Sequence, residues 1–462
     1  MTNNLTVGSP TRVIVAFTLP LLIGNVFQQI YQFTDAAVVG RMVGVDALAA
    51  VGATGSLMFL LIGFTLGASG GLAIPIAKAF GAGDLPSLRR HFANAIRIAV
   101  GIAAVITAVG VFGAHSLLVL MQTPPELIAD AEAFLAISFI GTPIAMAYNL
   151  LAAAIRALGD SRTPLYFLMI SCVLNVVLVV TFIGGLGWGV PGAALATLVA
   201  QLVSVLLCVA LIARRMPQLH LTRADWKSQP GEFGESLRPG LAMGFQMSVI
   251  AIGAVVLQYA INGLGADAVA AFTSAMRVDQ VAVAPLASFG VALTTFVAQN
   301  RGAGRWARIR VGVWRTTALT WALAALLGGL IIAFGTPIVR IFVGSGEPEV
   351  VALAHTYLII NGAVYPLLAT LFVLRNAIQG LGSTAVPTLA GFMELALRSV
   401  AGLVLVGQLG FLGVAVAAPL AWLGALLPLV ASWFGWRRAL LGLSDGDPEP
   451  VPVSRLRLVR AS

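Results

Sequence analysis

Twelve runs of apolar residues follow one another along this chain, and a lipid bilayer is the surrounding that such runs fit. Their approximate cores lie at 13–38, 47–74, 92–114, 128–154, 165–185, 192–213, 239–262, 268–297, 313–336, 351–374, 386–406 and 411–434. An α-helix needs ~20 apolar residues to cross a ~30 Å hydrocarbon layer, and the runs are of that order. Hydrophobic residues make up 59% of the 462 and charged residues 10%, which is more apolar material than a soluble core buries. The expected fold class is therefore all-α and polytopic, with twelve transmembrane helices. A membrane β-barrel would show ~10-residue alternating segments, and none appear. The 50 glycines and 22 prolines suit close helix approach and locally broken helices. The first run is too long for a signal peptide and has no small-residue cleavage site behind it, so it reads as a retained helix. Cys172 and Cys208 both lie inside apolar runs, where packing is the expected role and a disulfide or metal cluster is not.

Basic residues set the expected orientation. Arg12, Lys78, Arg89, Arg90, Arg156, Arg162, Arg214, Arg215, Arg223, Lys227, Arg301, Arg305, Arg308, Arg310, Arg437 and Arg438 fall on alternate connections, while the other set carries little beyond Arg41 and Arg340. Positive charge is retained on the cytoplasmic side, so both termini and the long 214–237 connection are expected there. The formal net charge of +9 is thus a topological signal that requires no nucleic acid, and Arg455, Arg457 and Arg460 of the tail can meet anionic headgroups.

The chain is also duplicated. A shift of 221 brings "GVDALAAV" (44–51) onto "GADAVAAF" (265–272) and "AKAFGAG" (77–83) onto "AQNRGAG" (298–304), and a shift of 223 brings "AIRALGDSRTP" (154–164) onto "AIQGLGSTAVP" (377–387). Each repeat holds six spans, an even number, so both halves enter the membrane from the same side and form parallel repeats suited to alternating access about a central cleft. The expected organisation is a lobe at 1–213, a cytoplasmic linker at 214–237, a second lobe at 238–436 and a cytoplasmic tail at 437–462.

Within the first span stands "NVFQQIYQFTD" (25–35). At about 100° per residue, Asn25, Gln28, Gln32 and Asp35 share an arc of roughly 80°. Polar groups in hydrocarbon are costly, so this face should turn toward other helices or a wet cavity. The amides also fit interhelical hydrogen bonding. Asp35 is different: an ionisable group at depth is a functional candidate, and burial brings a carboxyl toward reversible proton binding. Pro20 in the same helix removes a backbone hydrogen bond and marks a kink or hinge position. Candidate neighbours are Tyr148 and Asn149 in the fourth span, Asn175 in the fifth, and Thr197 and Gln201 in the sixth. Elsewhere, Glu394 and Arg398 are spaced as an i, i+4 ion pair, whereas Arg277 and Asp279 are two apart and do not face each other, which makes Asp279 a second candidate for ion coupling. His91, His115, His220 and His355 are scattered, and no serine-hydrolase, zinc-protease or nucleotide-loop motif occurs. Neither a cofactor nor a bound metal is expected, and uphill transport would draw on an ion gradient or a partner ATPase.

Five segments in order, "FTDAAVVGRMVGVDALAAVG" (33–52), "IRALGDSRTP" (155–164), "VPGAALAT" (190–197), "FVAQNRGAG" (296–304) and "RNAIQGLGST" (375–384), are similar to those of the multidrug and toxic compound extrusion (MATE) family. The resemblance covers almost the whole chain. It implies twelve helices in two six-helix lobes and export of amphipathic, often cationic compounds in exchange for H⁺ or Na⁺. Asp35 matches the family's first-helix aspartate. Gln28, Tyr31, Asn175 and Thr197 match polar cavity positions of the prokaryotic DinF-like branch, and Pro20 matches its first-helix proline. Members of that branch often carry an aspartate four residues after the fifth-helix asparagine, where this chain has Val179. The NorM-like branch carries acids in helices seven and ten, whereas here helix seven has none and the matching position is Leu368. The resulting expectation is a proton-coupled antiporter of the inner or plasma membrane, acting as a monomer on small amphipathic molecules. Sodium coupling at the same site, a lipid-linked precursor flippase and a membrane-embedded transferase are the alternatives.

Overall fold

The computed structural model describes residues 4–43, 50–52, 54–121, 123–343 and 347–449, with the side chains of 30–37, 342 and 343 outside the described set. No strand occurs among the described residues. The first half contains α1 (Pro10–Met42), α2 (Gly55–Ala82), α3 (Leu85–Leu120), α4 (Pro125–Ile140), α5 (Thr142–Ala157), α6 (Arg162–Val179) and α7 (Gly189–Arg215). The second contains α8 (Glu232–Asn262), α9 (Ala266–Gly302), α10 (Trp306–Val343), α11 (Pro348–Ala363), α12 (Tyr365–Gly380), α13 (Ala385–Val400) and α14 (Phe411–Leu441). Ten helices among the described residues are long and apolar enough to cross a membrane, and α4 with α5 and α11 with α12 qualify as bent pairs, giving twelve spans when each pair is one. Their outward faces are apolar, as on α3, where Val105, Val109 and Phe112 are exposed at helical spacing.

The duplication extends to the irregularities. Residues 128–154 and 351–374 read as single spans in the sequence, yet each is broken, by 46° between α4 and α5 and by 52° between α11 and α12. Pro143 and Pro366 stand just after the breaks, where a proline cannot donate to the preceding turn. The carbonyl of Phe139 that Pro143 leaves without its helical donor instead accepts the Thr107 hydroxyl at 2.9 Å. The fifth span of each half carries a π-helical turn, Val180–Gly185 and Ala401–Leu405, the second followed by a last α-helical turn, Val406–Leu409. Left-handed glycines recur in register too, Gly83 with Gly304, Gly159 with Gly382 and Gly187 with Gly410. After Gly159, Asp160 accepts the backbone N–H groups of Arg162 and Thr163, each at 3.0 Å, so the "ALGDSRTP" motif is a helix stop and start.

Two compact units emerge. One is formed by Leu19–Gly244 and the other by Asn4–Thr18 together with the chain from Phe245 onward. In the first, the connection between α7 and α8 folds onto the start of α3. Arg90 pairs with Glu232 at 2.9 Å, Arg89 donates to the carbonyl of Pro217 at 3.0 Å, and Arg97 lies 5.3 Å from the Trp226 ring centre. The connection is shorter than the expected 214–237, because α7 runs to Arg215 and α8 begins at Glu232. Two short 3₁₀ turns order it, and in one the Asp225 carboxyl, held below its usual range by the Thr222 N–H, accepts that N–H at 2.7 Å. The second unit is strapped similarly. Arg301 pairs with Glu449, Asp445 accepts the N–H of Ala307 at 3.0 Å, and Gln299 accepts the N–H of Leu5 at 2.9 Å. Arg455, Arg457 and Arg460 lie outside the described residues.

Close helix approach is decided by glycine where a backbone would otherwise collide. A methyl group at Gly71 of α2 would run into the carbonyl of Pro239 in α8, and one at Gly240 would meet Leu72 Cδ2 at 2.9 Å. Gly71→Val should therefore destabilise this unit by about 1–3 kcal/mol, the usual cost of overpacking. Thermal unfolding of the purified protein measures it, and an unchanged midpoint would show that the helices can separate freely.

Candidate functional site

In the first unit the polar residues gather on the antiparallel seam of α6 and α7. Asn175 of α6 is 1% exposed and donates its Nδ2–H to the Thr197 hydroxyl of α7 at 3.2 Å. The Thr197 hydroxyl hydrogen is directed to the Ala193 carbonyl at 3.2 Å, which fixes the orientation of the Asn175 amide. Asn175 Oδ1 then has no hydrogen-bond partner among the described residues, nor does Gln201 Oε1, one turn beyond Thr197. Both orphaned atoms are acceptors, and buried acceptors left unmade are costly. One turn further, Ser204 donates to the Phe167 carbonyl at 3.2 Å and holds the seam.

The first helix runs unbroken through Pro20, so no helix break accompanies the expected hinge. Asn25 and Gln28 are half-buried, while Ile23 and Val26 on the other side are exposed, as the polar stripe predicts. The side chains of Tyr31, Gln32 and Asp35 lie outside the described residues. Tyr148 and Asn149 of α5 are half-buried, with the Tyr148 hydroxyl 3.5 Å from the Pro164 carbonyl. Val179, where a second acid was a family possibility, is 1% exposed and packs in an apolar cluster with Val39 and Ile183.

The second unit holds the ionisable groups together. Glu394 is 5% exposed and both its oxygens are engaged, Oε1 by Arg398 at 3.1 Å and Oε2 by Arg375 at 2.8 Å. Thus the anticipated i, i+4 pair is present and is widened to a triad by a residue of α12. Arg375 escaped the sequence reading because the tenth apolar run was closed at 374, one residue before it, whereas the helix continues to Gly380. The criterion that singled out Glu394 applies to it equally. Asp279 is buried and its Oδ1 accepts the Tyr365 hydroxyl at 2.7 Å, whereas Arg277 is exposed on another face of α9. The two-residue spacing kept them apart, as expected.

A duplicated helical frame, apolar outside and with buried polar groups inside each unit, is the build of a polytopic membrane protein. The chain belongs to the MatE family, whose sequence pattern matches residues 20–181 and again residues 242–404, once in each repeat. It is 29% identical over 380 residues to the probable multidrug resistance protein YpnP of Bacillus subtilis, covering 82% of this chain and 84% of that protein. It is 26% identical over 352 residues to the DNA damage-inducible protein F of Escherichia coli, covering 74% of each. A solved structure described as an outward-facing multidrug resistance MATE family transporter of the MOP superfamily shares the fold, with a TM-score of 0.86 over 96% of this chain and 98% of that one at 21% identity.

The triad also generates a stability prediction. Removing the shared carboxylate would leave the buried Arg375 and the half-buried Arg398 without the acid that pairs them, a loss that for a buried pair typically costs about 3–5 kcal/mol. Glu394→Gln should lower the unfolding midpoint of the purified protein sharply, and Glu394→Asp should lower it less. Equal effects of the two would mean that shape, and not charge, holds this core.

Proposed function

We propose that this transporter is a proton-coupled antiporter that exports amphipathic, often cationic compounds by alternating access across the inner or plasma membrane, with both termini cytoplasmic. One observation carries the reading: unspent, buried acceptor oxygens stand at the level of the first-helix acid. Val39 of α1 packs against Val179 and Ile183 beside α6. Asp35 lies four residues before Val39, and Asn175 four before Val179, which is about one helical turn in each case. The spans of α1 and α6 run the same way through the membrane under the positive-inside topology, so the two backbones reach that level together. Lower down, Gly24 of α1 faces Leu165 and Leu168 of α6, the same parallel register one stretch earlier.

A carboxylate shielded from bulk water can bind and release a proton as access alternates, because the neutral form is favoured where solvent is excluded. Asp35 takes its proton from the outside, substrate departs as the site is neutralised, and deprotonation toward the cytoplasm restores it. Asn175 and Gln201 supply acceptor oxygens for the acidic proton or for a substrate ammonium. The names of the relatives, multidrug resistance proteins among them, support substrates of this kind. The orphaned Asn175 Oδ1 also favours a second reading, sodium held by the carboxylate and neighbouring amide and hydroxyl oxygens, since a hard cation takes oxygen ligands.

Two measurements bear on this. Asp35→Asn should abolish drug resistance in an efflux-deficient host at an unchanged amount of protein in the membrane, and retained resistance would overturn the coupling role. In proteoliposomes, export driven by a pH gradient alone is expected; export driven only by a sodium gradient would transfer the reading to sodium. Asn175→Leu should reduce transport in the same assay without loss of folded protein, since it removes the acceptor and keeps the bulk.

A further inference from the structure

Around Glu394 in the second unit the unpaired groups are donors, whereas on the α6–α7 seam they are acceptors. Arg375 and Arg398 each give one terminal nitrogen to Glu394, and the Nε–H of each has no partner among the described residues. The amide of Gln246, 1% exposed, accepts the Nε2–H of Gln379 at 2.9 Å and keeps its own Nε2 donor unspent. Arg375 itself is 4% exposed, so these are interior groups that water does not reach from the surface. Gln379 lies four residues beyond Arg375 on α12, and Gly391, which faces Gln246, lies three residues before Glu394 on α13, so Gln246 stands about one helical turn from the residue that both arginines hold.

Two glycines let the neighbouring helix pack closely against them. A methyl group at Gly391 would stand 3.2 Å from Gln246 Cγ, and one at Gly253 would stand 3.4 Å from Arg398 Cδ beside Leu395. The charge sum points the same way: two guanidinium groups against one carboxylate leave the triad with one positive charge. Asp279, the other acid whose charge acts on Arg398, has one oxygen engaged by the Tyr365 hydroxyl. Unpaired buried N–H groups on guanidinium cations call for an acceptor that is itself charged, and planar oxyanions suit such donors best.

We propose that the second unit carries an oxyanion-binding site in which Arg375, Arg398 and Gln246 donate to the carboxylate or sulfonate of an amphipathic compound. It goes beyond the proton-coupled reading, because it assigns to this unit a substrate chemistry that the cation-exporting function does not require. The triad then holds the arginines in place while their inner N–H groups face the ligand. A compound with both an ammonium and a carboxylate would be recognised at this end by its negative group.

The test uses the whole protein in phosphatidylcholine nanodiscs without any ion gradient, with empty nanodiscs subtracted. Three probes share one apolar body: 4-phenylbutyrate, 4-phenylbutan-1-ol and 4-phenylbutylammonium. Calorimetric titration should give saturable binding of the carboxylate, at least about tenfold tighter than the alcohol or the amine, in keeping with charge-assisted hydrogen bonds. Gln246→Glu keeps the acceptor for Gln379 but replaces the free donor by an oxyanion, and should weaken carboxylate binding by about tenfold or more. Arg398→Lys keeps a cation beside Glu394 and removes the guanidinium with its Nε–H, and should weaken it by several-fold whether or not the first variant folds. Equal binding of the three probes, or undiminished carboxylate binding by Arg398→Lys, would overturn the site. Neither result touches the coupling role of Asp35, which is read from gradient-driven transport.

Discussion

Hydrocarbon offers a polar group nothing to bond with, and every other feature of this protein answers to that condition. Backbone amides are satisfied by folding each span into a helix, and the side chains that cannot be apolar are gathered inward and paired. Where the helices depart from regularity, the freed groups are met locally. The carbonyl released at the α4–α5 bend takes a threonine hydroxyl from α3, and glycine on α2 lets a carbonyl of α8 approach without a methyl in the way.

The same condition separates structural from functional polarity. Asp160, although charged and part of a memorable motif, spends its oxygens capping a helix, and Glu394 spends both of its oxygens on arginines. Their pairing accounts for them. Among the groups left over are acceptors on the α6–α7 seam of the first unit and donors around Glu394 in the second. A buried group without a partner is costly to keep, and the paired charges carry no such cost.

Much of this was legible beforehand. Span count, duplication and the i, i+4 ion pair followed from hydropathy, self-similarity and helical spacing, and the inward turn of Asn25 and Gln28 from their shared arc. The breaks in the fourth and tenth spans were not, because an apolar run looks continuous whether or not its axis bends, and a proline near a helix start is compatible with either. The second helix runs past the end of its apolar run, since it carries Lys78 along and stops only at left-handed Gly83. Arg375 was hidden at the edge of a run for a similar reason: hydropathy marks where apolar residues end, and a helix can continue past that point.

What the sequence by itself determined is periodic or repeated: which segments cross the bilayer, that the frame is doubled, and which face of a helix is polar. These depend on interactions between a residue and its solvent, or between residues one turn apart, so composition and spacing carry them. Which polar groups find partners was decided only by the tertiary structure. Asn175 meeting Thr197, Tyr365 meeting Asp279 and Arg375 completing the Glu394 triad join residues on different helices or helices far apart in the chain. Their pairing depends on the rotation and depth of one helix against another, and packing sets both.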